Sequence, residues 1–535
     1  MVAEHNNKNN VGGIKRLAKS SAMMAIATFL SRVLGLVREQ AMAATFGASG
    51  LTDAFTVAYR VPNMLRDLFA EGAFSSAFVP IFTEERLKDP LAARRLLWSL
   101  FILLGTTTGL ISIIIIFTAP QIADFLTADK FFGDFNYTYD DKQRMEITVS
   151  MIKLMAPFLV FISLSALFMG ALNSLKFFFV PSLAPAFFNV VMILSIWFLP
   201  DYLETRNVHP IMSLAFGVMG GGLIQMLVQV PLIFKVAYGP KGPVKLFTQA
   251  TNRIINRVGI GTIGIATNQI NIIVSTILAT GTVLGAVSWL TYAFRLFQFP
   301  VGILSVSIAG SNLVHFSDKW KTGEYEEAKA LLKSSYLLSF FTIIPACVLL
   351  YAMARESVHM VFERGAFSVE DTIMTTKALY FYLVGLPFYG LYKIFAPTFF
   401  TLDKPKVPVF ISVASIILNI IFCILMTPEY GFSILALGAS LSMIFNCSLQ
   451  IVFLKKYLDL KMGFFFDKRL LKVMLAGSCC LALTKFLSKI FFHYDHGFIS
   501  KAFVFCMIGF SGASIYGIVL LVLGEKVALK KIFRK

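Results

Sequence analysis

Residues 23–66 read MMAIATFLSRVLGLVREQAMAATFGASGLTDAFTVAYRVPNMLR, two apolar stretches joined by a short Gly/Ser-containing turn and interrupted by Arg32, Arg38, Arg60 and Arg66. A fifth arginine, Arg295, interrupts a later stretch of the same kind. At the centre of a bilayer an ionised side chain costs roughly 2.5–3.5 kcal/mol on insertion scales, so five facing lipid would cost on the order of 12–18 kcal/mol. Such residues persist where they line water or hold a partner. All five are positive, so the expected partner is an anion.

The surrounding sequence establishes that a bilayer is the relevant solvent. Of 535 residues, 57% are hydrophobic and 15% charged, with a mean hydropathy of +0.74; soluble domains are nearer 25% charged. A spanning helix needs about 20 apolar residues, and clear runs occupy 97–119, 179–199, 336–353, 407–427 and 498–523. With the weaker runs included, the chain reads as an all-α integral membrane protein of about fourteen transmembrane helices. The apolarity is continuous instead of alternating, which excludes a β-barrel.

The net charge of +18 is distributed unevenly. Lys and Arg number 31 over both termini and the even-numbered connections (1–19, 84–96, Lys176, 235–257, 317–333, 403–406, 455–472 and 525–535). The opposite loops hold eight: Lys130, Lys142, Arg144, Arg206, Arg355, Arg364, Lys377 and Lys489. The positive-inside rule then places both termini in the cytoplasm. Anionic membrane lipids explain the basic balance, so no nucleic-acid partner is expected. The first twenty residues are polar and no small-residue cleavage pattern follows, so the first span is expected to remain. The six cysteines (347, 423, 447, 479, 480 and 506) lie in apolar segments without paired spacing, which points to small buried hydrophobes.

The chain repeats at an offset near 234 residues. Ala58-Tyr59-Arg60 before Pro62 resembles Ala293-Phe294-Arg295 before Pro300; Phe82-Thr83-Glu84 matches Phe316-Ser317-Asp318; Val180-Pro181 and Val407-Pro408 each open a span. Six spans return the chain to its starting side, so the second unit enters in parallel and the substrate path runs between the two. The expected division is an N-lobe at 17–240, a C-lobe at 245–457, and two extra C-terminal helices within 458–535. The architecture expected is thus two parallel six-helix lobes around a central cavity.

At about 1.5 Å per residue, a first span ending near Thr45, a second starting at Thr52 and an eighth starting near Ala286 put all five arginines in the outer half or middle of the membrane. Asp53 and Arg60, seven apart, share a helix face, and Asp53 is placed to orient an arginine. The reading is a cationic cavity for a polyanionic headgroup, because a guanidinium bonds phosphate through a planar fork and stays charged. The competing reading has the arginines snorkelling or held in static helix–helix ion pairs; snorkelling explains Arg38 or Arg66 alone, but hardly Arg32 and Arg295. Glu39, Asp53, Asp67 and Glu71 are the nearby acids. Glu71 and Gly72, at the inner end of span two, suit either a gate or simple helix packing. Pro62, Pro157, Pro300, Pro387 and Pro397 permit bends. Lys153 and Lys393 are expected to snorkel. His493 and His496 make a poor metal site, and no nucleotide-binding or catalytic motif is present. No cofactor and no enzymatic activity are expected.

Further residues carry a resemblance. Ser31-Arg32-Val33-Leu34-Gly35, Arg38, Phe46-Gly47-Ala48, Thr52-Asp53-Ala54-Phe55, Pro62-Asn63, Arg66 and Phe69-Ala70-Glu71-Gly72-Ala73-Phe74-Ser75 resemble the N-terminal signature of the MurJ (MviN) lipid II flippases. These belong to the multidrug/oligosaccharidyl-lipid/polysaccharide exporter superfamily. Val287-Ser288-Trp289 leading to Arg295, Phe362-Glu363-Arg364-Gly365-Ala366-Phe367 and Phe395-Ala396-Pro397 extend the match. The resemblance implies fourteen helices, two lobes around a V-shaped cavity, and alternating-access translocation of undecaprenyl-diphosphate-linked peptidoglycan precursor across the bacterial inner membrane. It places the family's functional arginines on Arg32, Arg38, Arg66 and Arg295, and its acid on Asp53. Other cell-wall synthesis proteins are candidate partners. Three positions depart from the family pattern: Phe294 and Gln298, where acids are frequent, and Lys393, where an arginine is usual. Rival readings are an exporter of another lipid-linked oligosaccharide or of a drug, and a membrane enzyme acting on the same precursors.

Overall fold

The computed structural model describes residues 2–66, 73–127 and 140–525, and no strand occurs among them. The chain forms two compact units, Met1–Ile277 and Leu278–Lys535.

The first unit is built from α1 (Val2–Phe46), α2 (Gly50–Arg66), α3 (Ala73–Lys88), α4 (Pro90–Phe117), α5 (Ala119–Leu126), α6 (Asp140–Met155), α7 (Phe158–Ser174), α8 (Phe179–Thr205), α9 (Met212–Leu227), α10 (Val230–Lys235) and most of α11 (Gln249–Thr280). Gly47, at φ 64°, ends α1 in the left-handed conformation that glycine adopts without a Cβ penalty. Thr52 Oγ1 then donates to the Gly47 carbonyl at 3.1 Å, closing the α1–α2 turn. Asp89 caps α4 by accepting from Leu91 N at 2.8 Å, with Pro90 in the first turn where its missing N–H costs nothing. Pro157 separates α6 from α7, as expected of a bend. Phe78, Phe82, Leu97, Leu167, Phe168 and Ile254 form the core that joins α3, α4, α7 and α11.

The second unit contains α12 (Ala286–Pro300), α13 (Val306–Lys321), α14 (Tyr325–Ala352), α15 (Ala354–Phe362), α16 (Val369–Thr401), α17 (Lys406–Tyr430), α18 (Ser433–Leu458), α19 (Lys468–Phe491) and α20 (Phe498–Val522). A π-helical stretch, Val301–Ser305, follows Pro300 and joins α12 to α13, so this proline also falls at an irregularity. Phe316, Tyr336, Phe341, Phe395, Leu454, Val473 and Tyr516 draw α13, α14, α16, α18, α19 and α20 into one core. Helix lengths recur between units: α4 and α14 have 28 residues each, α5 and α15 have 8 and 9, and each short helix is followed by a 33-residue apolar span.

Ten helical spans among the described residues are long and apolar enough to cross a membrane, consistent with a multi-pass fold of about fourteen crossings. They include all five of the runs read first from the sequence. The remaining expected crossings fall on α1, α2 with α3, α11, and α12 with α13. Three of those carry the five arginines, and α2 and α12 are only 17 and 15 residues long. Outward faces are apolar, with Phe410 68% and Ile499 85% exposed. Large exposed apolar surface marks contact with lipid or protein, and on spanning helices hydrocarbon covers it.

The cysteine expectation needs correcting. Cys423, Cys447 and Cys480 are buried and Cys347 is half-buried, but Cys479 and Cys506 are exposed. In a spanning helix an outward thiol meets lipid instead of water, so a small hydrophobe loses nothing there.

Close packing of α16 on α18 depends on one glycine. A Cβ at Gly385 would lie 2.8 Å from Ser440 Cα, and a backbone atom cannot yield as a side-chain tip can. Ser440 Oγ also donates to the carbonyls of Phe381 at 2.7 Å and Tyr382 at 3.1 Å. Gly385→Ala is therefore expected to destabilise the second unit by about 1–3 kcal/mol through overpacking, measurable as a lowered thermal midpoint of the detergent-solubilised protein.

Candidate functional site

In the first unit, α1, α2 and α8 bring Arg38 and Arg66, of the expected residues, into one neighbourhood. α1 packs along α8. Arg38 Nη2 meets Glu39 Oε1 at 2.5 Å, and Nη1 donates to Asn189 Oδ1 of α8 at 3.2 Å. Asn189 Nδ2 in turn donates to the Ser31 carbonyl at 3.1 Å, next to Arg32. The Arg38 guanidinium also stands 5.8 Å from the Phe188 ring, a cation–π contact. Tyr59 and Arg66 of α2 lie within electrostatic reach of Arg38. Two arginines of different spans thus share one neighbourhood, where their mutual repulsion favours an incoming anion.

The arginines differ in exposure. Arg32 is exposed, Arg60 and Arg66 are half-buried, and the Arg38 side chain is 16% exposed beside a Glu39 that is only 5% exposed. The ion-pair reading therefore describes Arg38 as it stands: its guanidinium is held by a carboxylate and an amide. For Arg32 that reading has less force, because an exposed arginine within a span faces either lipid or water, and lipid is the costly choice. Asp53 is buried in the first turn of α2, where a carboxylate complements the helix dipole. Asp67, Glu71 and Gly72 fall in 67–72, outside the described residues.

Asn189 was not among the residues singled out from the sequence. Its signal was present, for it is the one amide in the apolar run 179–199, and a polar side chain within a span usually marks a partner or a pathway.

In the second unit, α12 presents Arg295 on an exposed face with Gln298 and Phe299, at i, i+3 and i+4. The opposite face fixes this rotation. Trp289 is buried, and its Nε1 donates to Asp371 Oδ1 at 2.8 Å. Tyr292 packs 4.9 Å from Phe362 and 5.6 Å from Phe367, which gives the two phenylalanines of Phe362-Glu363-Arg364-Gly365-Ala366-Phe367 a structural task. Phe294 stacks on Phe297 at 5.5 Å and meets Tyr382 of α16 at 5.4 Å. At this position, where the resemblance led an acid to be expected, an aromatic wedge packs against α16. Lys393 and Lys153 are both exposed.

At the edge of the first unit, Arg253 at the start of α11 grips Glu84 near the end of α3 through two bonds of 2.8 and 3.3 Å, while Lys88 reaches Glu84 at 2.6 Å. Both ends lie in segments expected outside the membrane. Hydrogen bonds from Arg253 and then Lys88 hold the Glu84 carboxyl at about 2. The pair is therefore favoured above the ordinary carboxylate range and lost only as pH falls through about 2, so it stays ionised near neutrality.

Comparison with known proteins bears directly on this arrangement. The sequence profile of the family described as "Lipid II flippase MurJ" matches residues 42–508. A lipid II flippase MurJ of Burkholderia cenocepacia is 33% identical over 434 residues, covering 80% of this chain and 82% of that protein. A probable lipid II flippase MurJ of Vibrio cholerae is 32% identical over 453 residues, with 81% and 82% covered. A solved structure described as lipid II flippase MurJ, inward closed conformation, aligns with a TM-score of 0.75 at 25% identity, covering 94% of this chain and 100% of that one. An inward-facing MATE family multidrug transporter aligns with a TM-score of 0.62 at 11% identity, covering 84% and 99%, which shows a shared fold alone. A profile match over most of the chain, together with relatives above 30% identity over four-fifths of it, establishes that the chain belongs to the lipid II flippase MurJ family.

Proposed function

We infer that this multi-pass membrane protein is a lipid II flippase, moving undecaprenyl-diphosphate-linked peptidoglycan precursor from the cytoplasmic to the outer leaflet of the inner membrane. It is a transporter and not an enzyme: the substrate crosses unchanged. The observation that carries the reading is the set of arginines on α1, α2 and α12, in a chain that belongs to this family.

In this reading the lobes 17–240 and 245–457 alternate between inward- and outward-open states, with both termini cytoplasmic. Arg32, Arg38 and Arg295 bind the diphosphate, and Arg66 guides its entry. Asp53 orients Arg60 or a neighbouring arginine when no substrate is bound, and Glu71-Gly72 form the inner gate. Arg38 turns from Glu39 to the phosphate oxygens, the diphosphate taking the place of the carboxylate beside the guanidinium. The lipid tail stays in the bilayer through a lateral opening, against an apolar surface of α19 and α20. Other cell-wall synthesis proteins are the expected partners.

The test is direct. Purified protein in vesicles should move labelled lipid II between leaflets without altering it; chemical conversion of the label, or no movement, overturns the reading. A positive cavity also couples to voltage, at about 2.3 kcal/mol per charge per 100 mV. Collapsing an inside-negative potential in that assay is expected to slow turnover severalfold, and an unchanged rate would exclude electrical driving.

A further inference from the structure

The second unit contains a polar relay that the binding site does not use. Glu356, His359 and Glu363 follow one another at i, i+3 and i+7 along α15 and its cap, and each has a partner on a different element. Glu356 Oε1 accepts from Ser488 Oγ of α19 at 2.5 Å. Glu363 Oε2 accepts from Thr372 Oγ1 of α16 at 2.6 Å. Lys501 of α20 contacts His359 Nε2 at 3.0 Å and donates to the Tyr494 carbonyl at 3.1 Å. Asp371, beside Thr372, is the residue that accepts from Trp289 of α12. Contacts therefore run from α12 through α16 and α15 to the α19–α20 hairpin.

His359 is the link with two states. Its side chain is 8% exposed, edge-on to Tyr494 at 4.9 Å and Phe492 at 6.2 Å. An ammonium has protons to donate and no lone pair, so the Lys501 contact requires Nε2 to be the acceptor. The neutral ring then carries its proton on Nδ1, which lies 2.9 Å from Glu363 Oε1, although out of line for a hydrogen bond. A second proton, on Nε2, would point an N–H at the ammonium and turn attraction into repulsion, while strengthening the pull of Glu363. The charged and titratable groups gathered here are Arg355, Glu356 and Glu363 from α15 and its cap, Lys501 from α20, Tyr494 from the hairpin connection and Tyr380 from α16. Arg355 is itself seated 4.9 Å from the Tyr494 ring.

We propose that His359 is a positioning residue for translocation: as a neutral ring it fastens the α19–α20 hairpin to the elements that orient α12, the helix of Arg295, and its protonation releases Lys501 and uncouples them. The proposal rests on the flippase reading, because it assigns the hairpin and α12 to one transport cycle. The positive-inside count puts this relay on the outer face, so the proton that releases it comes from outside.

Two readouts test it separately. Full-length protein, His359→Gln and Lys501→Met are compared at a near-neutral and a mildly acidic pH. Deuterium uptake over residues 488–505, corrected for intrinsic exchange, should rise on acidification in the wild type. It should stay low at both values in His359→Gln, whose amide oxygen can accept from Lys501 without titrating, and stay high at both in Lys501→Met. Lipid II movement in vesicles should fall about threefold or more on acidification in the wild type and much less in His359→Gln. An identical pH response of wild type and His359→Gln in hairpin uptake refutes the latch. Absence of lipid II movement by the wild type at the higher pH refutes the flippase reading instead, while uptake still judges the latch.

Discussion

Replacing Arg38 by alanine is expected to lower lipid II translocation on the order of 100-fold or more. Hydrogen bonds involving a charged group contribute about 1.5–3 kcal/mol each, and a guanidinium facing a diphosphate makes two in parallel. Arg38→Lys keeps the charge but loses the fork, so an intermediate loss, nearer 10-fold, is expected. Stability should also fall, because the arginine ties α1 to α8 through Asn189 and Phe188. The two effects separate in Asn189→Ala, which loosens the same helix contact but leaves the guanidinium in place. Leaflet-exchange rates and thermal midpoints of the three variants decide the matter. If Arg38→Ala moves lipid II at the wild-type rate, its guanidinium is a structural strut and not a phosphate ligand.

Arg295→Ala is expected to abolish translocation to a similar degree, on the order of 100-fold if it too forms a bidentate phosphate contact, with a different stability signature. Arg295 lies on the exposed face of α12, while Trp289, Tyr292 and Phe297 anchor the opposite face. An exposed side chain contributes less to stability than a buried, bonded one, so the thermal midpoint should fall less than it does when the Trp289–Asp371 bond is removed. Trp289→Phe supplies the contrast: it deletes the donor to Asp371, leaves Arg295 intact and should lower the thermal midpoint. Lost translocation with a preserved midpoint would place Arg295 on the substrate; preserved translocation would remove the second unit from the binding reading.

The helical fold was largely legible before any coordinates. The expected starts near Thr52 and Ala286 lie within two residues of the helix starts at Gly50 and Ala286, and the first span ends at Phe46 against an expectation of Thr45. The spans hardest to read from hydropathy are those that carry the site, because each arginine offsets the apolar signal that identifies a membrane helix. Asn189 went unnoticed for a related reason: one amide in a run of twenty-one residues barely alters a window average, yet it holds two groups of α1 at once.

The amino-acid sequence by itself determined that this chain crosses a membrane many times, and that it sets arginines within apolar stretches, where water or an anion makes a cation tolerable. Those properties follow from local transfer free energies, which need no knowledge of neighbours. Tertiary structure alone decided that Arg38 is engaged by a carboxylate one residue away and an amide 151 residues away, that Phe294 wedges against Tyr382, and that α12 turns Arg295 outward. These depend on helix rotation and register, which arise from packing between segments distant in the chain and leave no periodic trace along it.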